Sequence, residues 1–159
     1  MRTAGLRRMF DICLSTEIVQ DVDDGVSNAV YGSIAIGEFR ETFIASLSTW
    51  SPTLYERQWQ EAAQRLVNGE SKSAFITFFV SPGAGNSFMW WPCYLSGEVI
   101  HVQNQLRFYV RLPRSFTIDA LYDFVEDRKL VSDDGVTKLS EWQMPIEWMR
   151  EFLRKHNRI

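Results

Sequence analysis

The sequence is poor in the residues that build disulfide frameworks and metal sites. Its 159 residues include two cysteines, Cys13 and Cys93, and two histidines. Two thiols far apart in the sequence give no crosslinked framework, and without a CxxC pair a structural zinc site lacks its ligands. We therefore expect reduced thiols, no metal and no cofactor.

Long apolar runs and an excess of basic residues are also missing. No stretch approaches the length of a transmembrane helix, and Asp11 interrupts what would be the apolar core of a signal peptide. We expect a cytoplasmic protein with no membrane partner, with Met9 an alternative start and residues 1–9 an extension. The net charge of −3 argues against nucleic acid as a partner, because that needs a basic face.

Apolar and aromatic residues, in contrast, are plentiful, at 45% and 14% of the chain. With this length they predict one domain over residues 1–159 with a sizeable core. Strand patterns stand before and after one well-marked helix, and further helices follow near the C-terminus. This segregation predicts an α+β fold, with an antiparallel sheet of about five to six strands packed against three or so helices.

The best-marked element is a helix beginning at Ser51. The Ser51 hydroxyl suits the N-cap, Pro52 suits the first helical position, and Gly69 suits the C-terminal end. Trp50 and Tyr55 stand where a hydrophobic staple fixes the entry of the chain. The apolar stripe, predicted to pack on the sheet, is Tyr55, Trp59, Ala62, Ala63, Leu66 and Val67.

Alternation and turn residues place the remaining elements. Strands are predicted over 10–14, 31–36, 73–80, 88–95 and 99–112, a loop over 21–28, and helices over 117–128 and 145–156. Residues 38–50 fit helical and strand spacing alike; the first half favours a strand and the second half stays open. Pro92 predicts an edge position or a bulge for its strand.

The strand over 99–112 alternates clearly between apolar and polar residues. The side chains predicted to point inward are Ile100, Val102, Leu106, Phe108 and Val110, and those predicted to point outward are His101, Gln103, Gln105, Arg107, Tyr109 and Arg111. Asn104 falls on the apolar side, where it needs hydrogen-bond partners.

Cys93 and His101 are the most enzyme-like pair, a nucleophile and a base. If Ser96 and Gly97 form a two-residue turn, the thiol and the imidazole lie on opposite faces of the sheet. A three-residue turn would bring them together. We favour a buried cysteine and a surface histidine, and predict no enzyme activity.

The polar face of the long strand is the better candidate for function. Tyrosine and arginine are enriched at binding hot spots, so Gln103, Gln105, Arg107 and Tyr109 are candidate partner-binding residues. The alternative, that a helix or solvent simply covers this face, stays open.

A set of motifs in this order resembles a known family. They are GSIAIGEFRETFIASLSTW (32–50), YERQW (55–59), KSAFIT (72–77), FMWWPCY (88–94), VQNQL (102–106) and LSEW (139–142). The pattern is similar to that of the CdiI-type immunity proteins of bacterial contact-dependent growth inhibition systems, over about residues 31–142. The strongest correspondences are Trp50, Tyr55, Gln58, Trp59, Lys72 and Ser73.

The resemblance implies a cytoplasmic antidote that binds the C-terminal toxin domain of its cognate CdiA effector, usually covering a nuclease active site. A mildly acidic antidote suits a basic nuclease, so the acidic turn at Asp133 and Asp134 joins the candidate toxin contacts. Two alternatives remain. A small-molecule-binding or scaffold domain would show a deep apolar pocket, and a cysteine-dependent enzyme would bring Cys93 and His101 into contact.

Overall fold

The computed structural model describes residues 9–19 and 28–156. The N-terminal part of the chain forms an antiparallel sheet of three strands in the order β1-β2-β3. Its strands are β1 (Phe10–Ile18), β2 (Ala29–Ile36) and β3 (Phe39–Ser46). The predicted extension at 1–9, apart from Met9, and the predicted loop at 21–28, apart from Asn28, lie outside the described residues.

The burial pattern of this sheet follows its alternation. Phe10 and Ile12 are buried, as predicted, and Ile34 and Ile36 of β2 lie opposite them in register. The segment left open between helix and strand is extended from Phe39 to Ser46, and a turn follows it. The preference for a strand in its first half is confirmed.

Helix α1 (Pro52–Val67) begins and ends as predicted. The Leu54 N–H donates to the Ser51 hydroxyl at 3.3 Å, and the rings of Trp50 and Tyr55 meet edge to face at 5.2 Å. At the other end Gly69 adopts φ +95°, a left-handed conformation that glycine reaches without steric cost.

The buried side of α1 lies along the edge of a second sheet. The Trp59 indole N–H donates to the Ile76 carbonyl at 2.7 Å, and the Ser73 hydroxyl donates to the Ala62 carbonyl at 2.9 Å. The Gln58 carboxamide donates to the Ala74 carbonyl at 2.7 Å and accepts from the Ile76 N–H at 2.9 Å. The helix therefore satisfies backbone groups that an edge strand would otherwise leave unpaired.

This second sheet has five strands, in the order β4-β5-β6-β8, with β7 also paired to β5. They are β4 (Lys72–Phe78), β5 (Ser87–Ser96), β6 (Val99–Gln103), β7 (Gln105–Phe108) and β8 (Glu141–Pro145). All pairings are antiparallel. The predicted α+β class with a mainly antiparallel sheet is thus confirmed, and the N-terminal strands add a separate small sheet.

The long strand predicted over 99–112 is interrupted at Asn104. Its two parts keep one register on β5, because Val102 pairs with Cys93 and Gln105 pairs with Trp90. The ladder is broken opposite Pro92, which has no N–H to donate. β5 is nevertheless a central strand, so an edge position for Pro92 is wrong.

Of the two helices predicted toward the C-terminus, the first is wrong and the second is confirmed. The regular helix predicted over 117–128 is instead a kinked 3₁₀ segment, Ile118–Phe124, in which Ala120 leaves the helical region of backbone angles. The last helix is confirmed as α2 (Ile146–His156), which buries Ile146, Met149, Phe152 and Leu153.

The core fills the space between the two sheets and the two α-helices. The ring of Phe10 lies 5.2 Å from Phe75 of the second sheet and 5.2 Å from Phe152 of α2. Phe39 stacks on Trp142 at 4.2 Å. Within the described ranges, no helix is both long and apolar enough to cross a membrane.

Candidate functional site

The apolar side of the predicted long strand is exposed along β7. Leu106 is 50% exposed, Phe108 40%, and Val110, in the 3₁₀ turn that follows, 90%. We call these three residues the β7 strip. The prediction that they point into the core is wrong, although Ile100 and Val102 on the same side of β6 are fully buried.

The reason is that the layer over the apolar side ends near Asn104. Over β6, the apolar side faces the core between the sheets, and over β7 it has no such cover. The polar side stays covered along both strands, because the chain itself returns across it as residues 109–130, which the hydrogen bonds of Gln103 and Arg107 hold there. The predicted orientation therefore holds before Asn104 and fails after it.

Two of the predicted contact residues are consequently buried. The Gln103 carboxamide donates to the Lys129 carbonyl at 2.7 Å and to the Glu141 carboxylate at 2.9 Å. The Arg107 guanidinium donates to the Phe124 carbonyl at 3.3 Å and lies over the Trp90 ring at 5.3 Å. Burial lowers the pKa of Arg107, while the carboxylate of Glu126 at 3.8 Å opposes that shift. Both side chains hold the covering segment on the sheet.

Gln105 and Tyr109 are half-buried and also bonded within the chain. Gln105 accepts a hydrogen bond from the Trp90 indole at 2.8 Å. The Tyr109 hydroxyl donates to the Val80 carbonyl, and burial raises the pKa of Tyr109 to about 12. The alternative that a segment covers this polar face is the one the geometry favours, while toxin contact by these four residues stays a prediction.

Asp133 and Asp134 lie at the exposed tip of a short hairpin. Its two sides are joined by a bridge between Val131 and Lys138, and Gly135 takes φ +74° in the turn. Asp134 accepts from the Ser132 hydroxyl and from the Val136 N–H, so its carboxylate stabilises the turn.

Asp133 is the more available of the two carboxylates. It accepts from Lys129 Nζ at 2.8 Å while its side chain stays 88% exposed. The hydrogen bond and charge of Lys129 lower the pKa of Asp133, and Arg111 adds to this shift.

Negative charge is concentrated in the segment that covers the polar side of the sheet. Residues 117–136 contain six acidic and two basic residues, whereas the whole chain has a net charge of −3. Glu126 approaches Arg107 of β7 at 3.8 Å, so this segment lies directly beside the strand. The acidic segment thus covers the side of the sheet opposite the apolar strip.

A polar cluster anchors the base of the hairpin. Arg128 binds the Glu141 carboxylate through two nitrogens, at 2.8 and 2.6 Å, and this pairing is the main reason why the pKa of Glu141 is lowered. His101 Nδ1 lies 3.4 Å from the same carboxylate. These contacts connect β6, β8 and the acidic segment.

Cys93 and His101 lie on opposite faces of the sheet, as predicted. The turn is formed by Gly97 and Glu98, one residue later than expected, and Tyr94 therefore pairs with His101. Cys93 is fully buried, and burial raises the pKa of its thiol. The thiol and the imidazole do not form a nucleophile–base pair.

Two observations on the described residues concern small-ligand and metal sites. A groove of about 400 Å³ on the outer face of the first sheet has both polar and apolar lining, and Cys13, Ser15, Glu17 and Thr42 are among its residues. It is not a deep apolar pocket of the kind that small-molecule sites use. Among the described residues, no cluster of His, Cys, Asp and Glu fits a metal ion.

Sequence reasoning missed the β7 strip, because its residues were assigned to the core. Two signals pointed to the break. Asn104 interrupts the apolar side, and Pro92 stands opposite in the neighbouring strand. Together they mark where the strand loses its regular ladder, and hence where the cover over its apolar side can end.

Comparisons with known proteins agree with the resemblance seen in the motifs. The immunity protein CdiI of Enterobacter cloacae subsp. cloacae is 26% identical over 125 residues, which cover 79% of this chain and 85% of that protein. A solved CdiA-CT/CdiI toxin and immunity complex from Enterobacter cloacae contains a chain with the same fold, at a TM-score of 0.80 and 24% identity, covering 92% of this chain and 97% of that one. The family model of the CdiI N-terminal domain matches residues 45–152. Because that match spans well over half of the sequence, the chain belongs to the CdiI family of immunity proteins.

Proposed function

We propose that this chain is a cytoplasmic antidote that binds and neutralises the C-terminal toxin domain of a cognate CdiA effector, and that this toxin is a nuclease. The observation that carries the proposal is the alignment with an immunity protein over 79% of the chain. The solved relative that shares the fold comes from a toxin and immunity complex, which supports the same kind of partner.

The surface charge supports a basic partner. The acidic segment 117–136 presents carboxylates on the side of the sheet opposite an exposed apolar strip, and a nuclease domain that holds a nucleic acid carries a basic surface. Complementary charge speeds encounter and excludes other partners. In this proposal Asp133 and Asp134 contact the toxin, whereas Gln103, Gln105, Arg107 and Tyr109 support the surface from below.

Inhibition in this proposal needs binding alone. Cys93 is buried with a raised thiol pKa, and His101 lies on the other face of the sheet. The antidote therefore acts as a tight inhibitor, with no turnover. We expect nanomolar affinity or better, about −12 kcal/mol or beyond.

The test is protection of sensitive cells. This chain is expressed in bacteria that also receive the cognate CdiA C-terminal domain under an inducible promoter, and growth is followed after induction. We expect growth with this chain and arrest without it. A CdiA C-terminal domain from an unrelated system is the specificity control and should remain toxic. Arrest despite abundant soluble antidote contradicts the proposed function.

The nuclease part has its own measurement. The purified toxin domain is incubated with DNA and with total RNA, with and without a molar excess of this chain. Cleavage of one substrate that the chain abolishes supports a nuclease. Protection in cells with no cleavage of either substrate contradicts that part and leaves the antidote role in place.

A further inference from the structure

Strand β7 has an edge to which no other strand in the described part of the chain is paired. β7 pairs with β5 alone, and β8 begins only at Glu141, opposite Gln103. Beyond Asn104, the sheet therefore stops at β7.

The backbone of β7 directs hydrogen-bonding groups toward this open edge. The Tyr109 N–H donates to the Asn86 carbonyl, on the β5 side, at 2.9 Å. In an antiparallel pair, alternate residues turn their backbone groups to the same neighbour. Gln105 and Arg107 therefore face β5, and Leu106 directs both its N–H and its carbonyl outward. The Phe108 N–H points the same way.

The edge also lacks the usual protection against another strand. Natural sheets guard their edges with lysine, proline or outward charges. Residues 104–110 contain one charged side chain, Arg107, which is 8% exposed and bonded inside. The side chains that do face outward are those of the apolar β7 strip. An open edge with alternating apolar side chains is what strand addition requires.

The acidic segment indicates which kind of strand fits. Glu126 lies 3.8 Å from Arg107 of β7, within the segment 117–136 that contains six acidic and two basic residues. A strand added to β7 meets this negative charge next to it, so basic residues in the partner are favoured. A second copy of this chain would bring its own acidic segment to the same place, and like charges there would oppose it.

We propose that the partner domain binds at β7 through an extended strand of its own, which hydrogen-bonds to the open edge and places alternate apolar side chains against Leu106 and Phe108. Basic residues of that domain lie against the acidic segment 117–136. This inference rests on the proposed function, because the strand belongs to the toxin domain.

The experiment separates backbone pairing from side-chain contact with two variants. Leu106→Pro removes an N–H that points away from β5, and so it leaves the internal ladder intact. Leu106→Lys keeps the N–H but replaces the apolar contact. The control is Ile44→Lys, which changes a side chain of similar exposure, 41%, on β3 of the other sheet. Thermal unfolding confirms that each variant is folded.

Binding is measured by calorimetry against a catalytically inactive cognate toxin domain. We expect Leu106→Pro and Leu106→Lys each to raise the Kd by about tenfold or more. The Kd of Ile44→Lys should equal that of the wild type. Amide hydrogen exchange of the wild-type chain is the second readout, and it decides the matter if Leu106→Pro fails to fold. The Leu106 and Phe108 amides should exchange quickly in the free chain and slowly in the complex.

The outcomes are distinguishable. Tight binding with both amides still exchanging quickly overturns the β7 site and leaves the proposed function standing. A free chain that is dimeric, with both amides already protected, makes a second copy the occupant and also overturns it. A wild-type chain that fails to bind the toxin domain removes the proposed function together with this inference.

Discussion

The side-chain amide of Gln58 takes the place of a neighbouring strand beside Ile76. The Ile76 N–H donates to Gln58 Oε1 at 2.9 Å, while Gln58 Nε2 donates to the preceding acceptor, the Ala74 carbonyl, at 2.7 Å. One residue of α1 thus satisfies a donor and an acceptor of the β4 edge, in a site where Gln58 is 6% exposed.

Gln58→Glu should therefore destabilise the protein although its shape is nearly unchanged. A carboxylate cannot donate to the Ala74 carbonyl, which would be left unpaired and facing a negative charge in a buried site. We expect a loss of about 2–4 kcal/mol in the free energy of unfolding, measured with urea. Gln64→Glu, on the exposed face of the same helix, is the control and should change it little. Equal values for the two variants would show that the Gln58 contacts contribute little.

Trp59→Ala tests the packing of α1 on the sheets. Trp59 is 1% exposed, and its indole contacts Phe43 and Tyr55 as well as the Ile76 carbonyl. Truncation leaves a large cavity and an unpaired carbonyl, so we expect a loss of about 3–5 kcal/mol. Leu54→Ala on the exposed side of the helix is the comparison. A melting temperature equal to that of the wild type would contradict the buried position of Trp59.

Arg107→Lys tests whether Arg107 holds the covering segment on the sheet or contacts the toxin directly. Lysine keeps the charge but not the planar group that lies on Trp90 and donates to the Phe124 carbonyl. We expect a loss of about 1–3 kcal/mol in stability and faster hydrogen exchange in residues 117–130. Arg111→Lys, at an exposed position, should do neither. Weaker toxin binding by Arg107→Lys with unchanged stability would instead make Arg107 a contact residue.

Cys93 makes stability fall at alkaline pH. Burial raises the pKa of its thiol above the usual 9.0, so above that pH the unfolded chain releases a proton that the folded chain keeps. Stability should fall by up to about 1.4 kcal/mol per pH unit from there. In Cys93→Ala the loss of stability should begin at a higher pH, near the usual tyrosine pKa of 10.0, because burial also raises the pKa of Tyr55. Urea unfolding between pH 7 and pH 11 measures both curves, and identical curves would contradict a role for Cys93.

The acidic hairpin should act mainly on the rate of association. Reversing an exposed charge near the binding surface reduces long-range attraction to a basic partner while leaving short-range contacts in place. We expect Asp133→Lys to slow association with the toxin domain by about threefold to tenfold at low salt, and added salt to narrow that difference. Glu56→Lys on α1 has the same charge change and should have a smaller effect. A change confined to the dissociation rate would contradict this role.

Local signals predicted much of the fold. Ser51, Pro52 and Gly69 marked both ends of α1, because capping depends on residues next to each other in sequence. Side chains alternate between the two faces of a strand, and this alternation predicted that Cys93 and His101 lie on opposite faces. The turn lies one residue later than predicted, but it still has two residues, so the faces stay the same.

The candidate surface was harder to predict, because burial depends on what covers a strand. Leu106 and Val102 stand on the same side of one alternating pattern, yet Val102 is fully buried and Leu106 is half exposed. The difference is that the core layer covers the apolar side of β6 and ends before β7, while residues 109–130 cover the other side of both strands, where Gln103 and Arg107 hold them. Alternation fixes which residues share a side; it cannot say which side a distant segment will cover.

The edge contact made by α1 also limits self-association. A sheet that grows into a fibril by strand addition needs an acceptor edge at each end, so that every added copy offers a new one. Here Gln58 already satisfies the backbone at the β4 end. A second copy that paired at β7 would therefore find no free edge at β4 from which to continue the sheet. Helix α1 thus blocks growth by strand addition at the β4 end, while β7 keeps its open edge.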